Sequence, residues 1–71
     1  MVMDVGKKVK AAAVLAGVPL NEVAEALGMS ASNFTTRLRT GKFEFDELDR
    51  IAKALGVRFA GSFIFPDGTE I

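Results

Sequence analysis

The stretch LNEVAEALGMSASNFTTRLRTG, residues 20–41, decides the fold of this chain. Its first part repeats apolar residues with the i, i+3, i+4, i+7 spacing of a buried helical stripe: Leu20, Val23, Ala24 and Leu27. Gly28 follows, and a residue without a Cβ takes a positive φ at a helix end without strain. Ser30 is a good N-cap for a second helix. The stretch therefore predicts two short helices joined by a Gly-centred turn.

The second of these helices, residues 31–39, does not have the Glu/Lys-rich outer face of an ordinary solvated helix. Its outward side chains are short and polar, and they are Ser32, Thr36 and Arg39, flanked by Asn33 and Thr35. Compact hydrogen-bonding groups on an exposed helix suit the edges of DNA bases. The alternative is an ordinary corner between two helices, with a plain solvated surface. The short first helix and the form of the turn favour DNA binding.

The rest of the chain predicts two more helices. Residues 4–16 contain an alanine run with high helix propensity, and Gly17 ends that helix. Pro19 then begins the helix of residues 20–27. A fourth helix is predicted over residues 45–55, with the apolar stripe Phe45, Leu48, Ile51, Ala52 and Leu55. Two acid-before-base pairs at i, i+4 support it, Asp46 with Arg50 and Asp49 with Lys53.

After Gly56 the apolar period changes from helical to alternating. Val57, Phe59, Phe63 and Phe65 share one face, and Arg58 and Ile64 share the other. This alternation predicts a strand over residues 57–65. Residues 66–68, Pro-Asp-Gly, predict a turn, and a short return arm follows it. The expected fold is mainly α, a four-helix domain of residues 4–56 followed by a C-terminal β-strand or short hairpin of residues 57–71, together one domain of residues 1–71.

The composition lacks the usual catalytic and metal-binding side chains. The 71 residues include no cysteine and no histidine, which excludes disulfides, thiolate metal sites and imidazole chemistry. No nucleophile–base pair, paired carboxylates or phosphate-binding glycine array is recognisable. We therefore expect a protein that is not an enzyme and needs neither a metal nor a cofactor. Because so short a chain buries only about 60% of its unfolded surface, we expect oligomerisation to stabilise it.

The start of the chain resembles a secretory signal, with three lysines in residues 7–10 followed by an apolar run. Cleavage at the signal-like residues 24–26 would remove the helix predicted to pack beside Phe34. The apolar run is also too short to span a membrane. We therefore expect a cytoplasmic protein with no membrane partner.

The net charge is zero, which argues mildly against nucleic-acid binding. The charges are unevenly spread, however. Arg37, Arg39 and Lys42 surround the second helix of the pair, whereas acids gather in residues 44–49. This distribution is compatible with a basic face toward DNA and an acidic face away from it.

The sequence LNEVAEALGMSASNFTTRLRTGKFEFDELDRIAKALGV, residues 20–57, resembles the helix-turn-helix core of the phage repressor and Cro (XRE-like) family. The similarity spans about residues 9–57 and rests on two patterns, Leu20-x-x-Val23-Ala24-x-x-Leu27-Gly28-Met29-Ser30 and Leu48-x-x-Ile51-Ala52-x-Ala54-Leu55-Gly56-Val57. The resemblance implies a compact helical domain whose third helix enters the major groove of DNA.

The resemblance also implies positions for the DNA contacts. The base-reading residues would be Ala31, Ser32, Asn33, Thr35 and Thr36. The phosphate-binding residues would be Asn21, Arg37, Arg39, Thr40 and Lys42. Where many relatives have a long polar base reader, residue 31 is alanine, which contacts a thymine methyl but donates no hydrogen bond.

Five of the six phenylalanines lie in residues 43–65, and three of them, Phe59, Phe63 and Phe65, share one short strand, which is more than a four-helix domain of this size readily covers. We therefore predict a homodimer in which the strands of residues 57–65 pair about a two-fold axis. Its interface would contain Val57, Phe59, Phe63, Ile64 and Phe65. The alternative is that these side chains are simply core.

Together these patterns predict a sequence-specific regulator of transcription that binds double-stranded DNA, a homodimeric repressor that reads a palindromic site with residues 31–39. The competing hypothesis is a protein-interaction or dimerisation module of the same fold that does not read DNA.

Overall fold

The computed structural model describes residues 4–71. Four helices are followed by a short antiparallel hairpin: α1 (Val5–Ala16), α2 (Leu20–Ala26), α3 (Ala31–Thr40), α4 (Phe45–Leu55), β1 (Arg58–Phe59) and β2 (Phe63–Ile64). The predicted four-helix fold with a C-terminal hairpin is confirmed, and each helix ends within one residue of its predicted boundary.

Side chains cap the N-termini of two helices, and one of these caps, Ser30, was predicted from the sequence. The Asp4 side chain accepts a hydrogen bond of 2.9 Å from the backbone N–H of Lys7 and so caps α1. Ser30 caps α3 in the same way, since its Oγ accepts from the Asn33 N–H at 3.2 Å. These caps satisfy amides that have no partner within the first turn of a helix.

The turn between α2 and α3 contains Gly28 with φ 69°, as predicted. The Met29 N–H donates back to the Ala24 carbonyl at 3.0 Å and closes the turn. The Met29 side chain is half-buried and packs against the core. A residue with a Cβ would be strained at this φ, so Gly28 permits the sharp change of direction between the two helices.

One apolar core joins all four helices and the hairpin. Helix α1 packs on α3, α2 packs on α4, and β1 packs on α4. The buried apolar residues are Val9, Ala12, Ala13, Val23, Ala24, Leu27, Phe34, Leu38, Leu48, Ile51, Ala52, Leu55, Phe63 and Phe65. Within residues 4–71 no polar or charged side chain is buried, so hydrophobic burial holds the domain together.

The prediction of one continuous strand over residues 57–65 is wrong. The chain reverses within that range at a three-residue loop, residues 60–62, so that Phe59 pairs with Phe63 and Arg58 with Ile64. Gly61 lies in this loop with φ 79°. A glycine within a loop of three residues is a recognised hairpin signal, which outweighs the alternating pattern here.

The predicted turn at residues 66–68 is present. The Gly68 N–H donates to the Phe65 carbonyl at 2.9 Å, and the Phe65 N–H donates to the Thr69 carbonyl at 2.8 Å. The return arm pairs with β2, since Phe63 and Ile71 exchange two backbone hydrogen bonds. Asp67 accepts from the Thr69 N–H at 2.9 Å, and this hydrogen bond lowers the pKa of the Asp67 carboxyl.

Two predictions about the phenylalanines need correction. Phe63 and Phe65 are buried in the core of the same chain, with only 1% of Phe63 exposed, so in this conformation neither side chain offers a surface to a second copy. The domain therefore covers more aromatic surface than we predicted. Phe45, which we placed in the buried stripe of α4, is 69% exposed and rests against the edge of Phe59.

Candidate nucleic-acid interface

The predicted base-reading residues share the exposed side of α3. Phe34 and Leu38 turn inward and are buried, which fixes the rotation of the helix about its axis. The predicted set lies on the solvent side, and every member is exposed: Ala31, Ser32, Asn33, Thr35 and Thr36. The structure thus brings these five side chains together on one uncharged surface.

Two of these residues hydrogen-bond to the helix itself. The Thr35 hydroxyl donates to the Ala31 carbonyl at 2.9 Å, and the Thr36 hydroxyl donates to the Ser32 carbonyl at 3.2 Å. Such bonds to the carbonyl four residues earlier are a common option for threonine in a helix. Each hydroxyl oxygen keeps lone pairs that can accept a hydrogen bond from a partner.

Arg37 does not have a free side chain, although we predicted a phosphate contact for it. Its Nε donates to the Lys42 carbonyl at 2.7 Å, and its terminal nitrogen forms an ion pair with Glu47. The guanidinium carbon lies 5.4 Å from the ring centre of Phe43. Arg37 thus links the loop after α3 to the first turn of α4 through these contacts. Glu47 largely neutralises its charge.

Three of the four other predicted phosphate contacts, Arg39, Thr40 and Lys42, lie at the C-terminal end of α3 or just after it. Thr40 and Lys42 line an open depression of about 600 Å³ together with Arg37, Phe43 and Glu44. Arg39 and Lys42 are exposed and, among residues 4–71, neither belongs to an ion pair. These two cations are therefore available to an anionic partner. Asn21 is exposed in the first turn of α2.

The acids near this surface are mostly matched by bases. Asp46 lies 4.0 Å from Arg50, and Asp49 lies 3.3 Å from Lys53, as the i, i+4 spacing predicts. Glu47 pairs with Arg37 and also accepts from the Glu44 N–H at 2.8 Å. The acidic segment therefore adds less negative potential beside α3 than its sequence suggests.

Gly6, which the sequence analysis did not single out, sets how closely α1 approaches α3. It is buried, and a Cβ built on it would lie 1.9 Å from the Leu38 carbonyl oxygen. Only a residue without a side chain fits at this contact. The sequence did contain a signal, because glycine near the start of an otherwise alanine-rich helix costs helix propensity.

The predicted dimer residues divide between the core and the surface. Val57, Phe59 and Ile64 are half-buried, whereas Phe63 and Phe65 are core residues. Phe59 and Phe45 have ring centres 5.4 Å apart and form an aromatic patch at the start of α4. A second exposed apolar pair, Val14 and Leu15, lies on α1.

Comparisons with known proteins yield one result. A family model described as a Cro/C1-type HTH DNA-binding domain matches residues 13–65, about three-quarters of the chain. No curated protein and no solved structure matched significantly. Across residues 4–71, no helix combines the length and apolarity needed to cross a membrane.

Proposed function

Since the chain belongs to the family of Cro/C1-type helix-turn-helix DNA-binding domains, we propose that it is a sequence-specific regulator of transcription that reads double-stranded DNA with α3. The observation that carries the proposal is the exposed, uncharged surface of residues 31–36 in α3, held in place by two buried anchors, Phe34 and Leu38. Short polar side chains on a protruding helix fit the width of the major groove.

The contacts fall into two groups. Base edges are read by the exposed residues of α3, which are Ala31, Ser32, Asn33, Thr35 and Thr36. Phosphates are bound by Arg39 and Lys42, with Thr40 and Asn21 as neutral donors. Arg37 acts indirectly, by holding the loop that carries Lys42. Phosphate contacts position the domain, and base contacts supply the specificity.

The working form that we propose is a homodimer on an inverted repeat. The longest dimension of the domain is 31 Å, close to the ~34 Å that separates successive major grooves on one side of the duplex. Two copies of this size can therefore lie side by side on one face of the duplex, and in the dimer that we propose their α3 helices occupy neighbouring major grooves. We propose repression as the outcome, because a dimer that occupies its site excludes other proteins from that DNA.

The salt dependence of binding tests this function against the alternative of a protein-interaction module. Arg39 and Lys42 from two protomers would neutralise four phosphates, so log affinity should fall with log salt with a slope of about −3.6. Anisotropy of a labelled duplex, selected from random sequences, measures it. A protein that binds no duplex at low salt, or binds with a slope near zero, would instead support the interaction module.

The two arginines of α3 should respond differently to alanine substitution. Arg37→Ala removes an exposed hydrogen bond and a partly buried ion pair, so we expect the free energy of unfolding to fall by about 1–2 kcal/mol. Arg39→Ala removes an exposed cation without an ion pair, so stability should be unchanged and DNA affinity should fall. Urea unfolding and the anisotropy assay measure both effects. Equal stability losses in the two variants would contradict the assigned roles.

The dimer surface that we propose is the aromatic patch of Phe45 and Phe59 with the neighbouring Val57, on the face of the hairpin opposite Ile64. Phe59→Ser should give monomers in sedimentation equilibrium, and Phe45→Ser, which replaces a side chain that is 69% exposed and so leaves the core intact, should weaken the dimer. Val14→Ser with Leu15→Ser, at the exposed apolar pair on α1, is the matched control and should remain dimeric. A monomeric wild type, or dissociation only in the α1 variant, would refute this surface.

A further inference from the structure

The part of α3 that would enter the groove first contains no cation. Its exposed residues in positions 31–36 are Ala31, Ser32, Asn33, Thr35 and Thr36. The next residue, Arg37, is held by Lys42, Glu47 and Phe43. The commonest specific contact in the major groove is a pair of hydrogen bonds from arginine or lysine to guanine O6 and N7. No side chain in this half of α3 can make that arginine- or lysine-to-guanine contact.

The threonine hydroxyls are poor donors to a base. Each hydroxyl has one proton, and those of Thr35 and Thr36 are given to the Ala31 and Ser32 carbonyls. What remains for a partner are oxygen lone pairs, which accept hydrogen bonds. The groups that donate in the major groove are the amino groups of adenine and cytosine, whereas guanine presents acceptors there. Guanine is therefore a mismatch for these two residues.

Methyl groups are the other feature of this surface. Ala31, Thr35 and Thr36 each carry one on an exposed side chain. The apolar group that a base pair presents in the major groove is the C5 methyl of thymine. Asn33 complements this set, since an asparagine amide matches adenine N6 and N7 with two hydrogen bonds.

Building on the proposed function, we infer that the N-terminal half of α3 selects A·T base pairs. An A·T pair offers both an adenine amino donor for the threonine oxygens and a thymine methyl for the alanine and threonine methyls. A G·C pair also offers an amino donor, on cytosine, but it lacks the methyl, and its two guanine acceptors can be met on this surface only by Ser32 and Asn33. Selectivity thus arises from the methyl contacts to thymine and the asparagine–adenine match, without an arginine–guanine pair.

Selection from random duplexes, followed by replacement of thymine with deoxyuridine, tests this inference. Each half-site should be rich in A·T where the protein protects the major groove. Deoxyuridine lacks only the C5 methyl, and each contacted methyl should contribute about fourfold in affinity, the equivalent of ~0.8 kcal/mol per buried carbon. Deoxyuridine outside the protected bases is the matched control and should change nothing.

A protein variant shows whether the threonine methyls are responsible. Thr35→Ser together with Thr36→Ser keeps both hydroxyls and removes both methyls. In this variant the affinity lost on replacing a contacted thymine with deoxyuridine should therefore shrink from about fourfold toward no change. Half-sites dominated by G·C, or an equal loss of affinity on deoxyuridine replacement in the variant and the wild type, would overturn the inference. Either result would leave the proposed DNA-binding function standing. If no sequence is enriched at all, the proposed function fails together with it.

Discussion

Phe63→Ala should unfold a large fraction of the protein under conditions in which the wild type is folded. Phe63 is 1% exposed and packs at 5.0 Å between ring centres against Phe59. Truncating a buried phenylalanine costs about 3–5 kcal/mol through lost transfer energy and the cavity left behind. A chain of 71 residues has a total stability of roughly 4–11 kcal/mol, so this loss is a large part of it. Urea unfolding followed by circular dichroism measures the change.

Phe45→Ala is the matched control, because it deletes the same atoms from a side chain that is 69% exposed. It should lower the free energy of unfolding by less than about 1 kcal/mol. If the Phe63 variant were as stable as the Phe45 variant and had only lost its dimer, Phe63 would be an interface residue. The original prediction for this position would then be right, and the packing described here would be wrong.

Because Phe63 and Phe65 are buried in the core, a deletion of residues 57–71 tests the stability of the fold and not dimerisation. These residues contribute two of the aromatic side chains in the core, so their removal should unfold the helices instead of producing folded monomers. Substitutions on the surface of the hairpin, and not truncation, are therefore the informative test of dimerisation.

Gly6→Ala should destabilise the domain, although alanine in a helix is ordinarily more stable than glycine by about 0.5–1 kcal/mol. The new Cβ would lie 1.9 Å from the Leu38 carbonyl oxygen, a backbone atom that no side-chain rotation can move away. Helices α1 and α3 would have to separate, at a net cost of about 1–3 kcal/mol or more. Thermal and urea unfolding measure this cost, and the displaced α3 should also bind DNA more weakly.

Lys7→Ala provides the comparison, since Lys7 is the next residue of α1 and is exposed. It should leave stability nearly unchanged, because exposed lysine and alanine have similar helix propensities. A Gly6→Ala protein as stable as the wild type, or more stable, would show that α1 and α3 are not in the close contact described.

The helices were predictable from the sequence because their signals are local. The apolar stripe of α4 and the Ser30 cap of α3 depend on residues within a few positions of one another, and both are present except for Phe45, the exposed first member of the predicted stripe. The same holds for the turn at Gly28. Local propensity and tertiary packing agree throughout this part of the chain.

What the sequence did not disclose depends on contacts between distant residues. The environment of Phe63 is set by helices that precede it by many positions, so alternation alone could not distinguish core from interface. Arg37 and Glu47 are ten positions apart in the sequence, and they become neighbours only because the loop after α3 brings α4 against it. Gly6 and Leu38 meet only because α1 packs on α3.

The site was partly predictable for the same reason. Helical periodicity places Phe34 and Leu38 inside, and the remaining residues of α3 are then exposed. The chemistry of that surface was not evident, because the hydroxyl protons of Thr35 and Thr36 are committed by hydrogen bonds within the helix. The acidic segment of residues 44–49 was also misleading, since three of its acids have basic partners.

The central claim is that α3 reads base sequence, and the ratio of two dissociation constants tests it most directly. At one fixed salt concentration, the wild type should bind a selected duplex about 10³-fold or more tightly than a scrambled one. The variant with alanine at Ser32 and Thr36 should lose about thirtyfold of that ratio per protomer, at about 1 kcal/mol for each contact, and bind the scrambled duplex unchanged. An equal ratio in the two proteins would contradict base reading by α3.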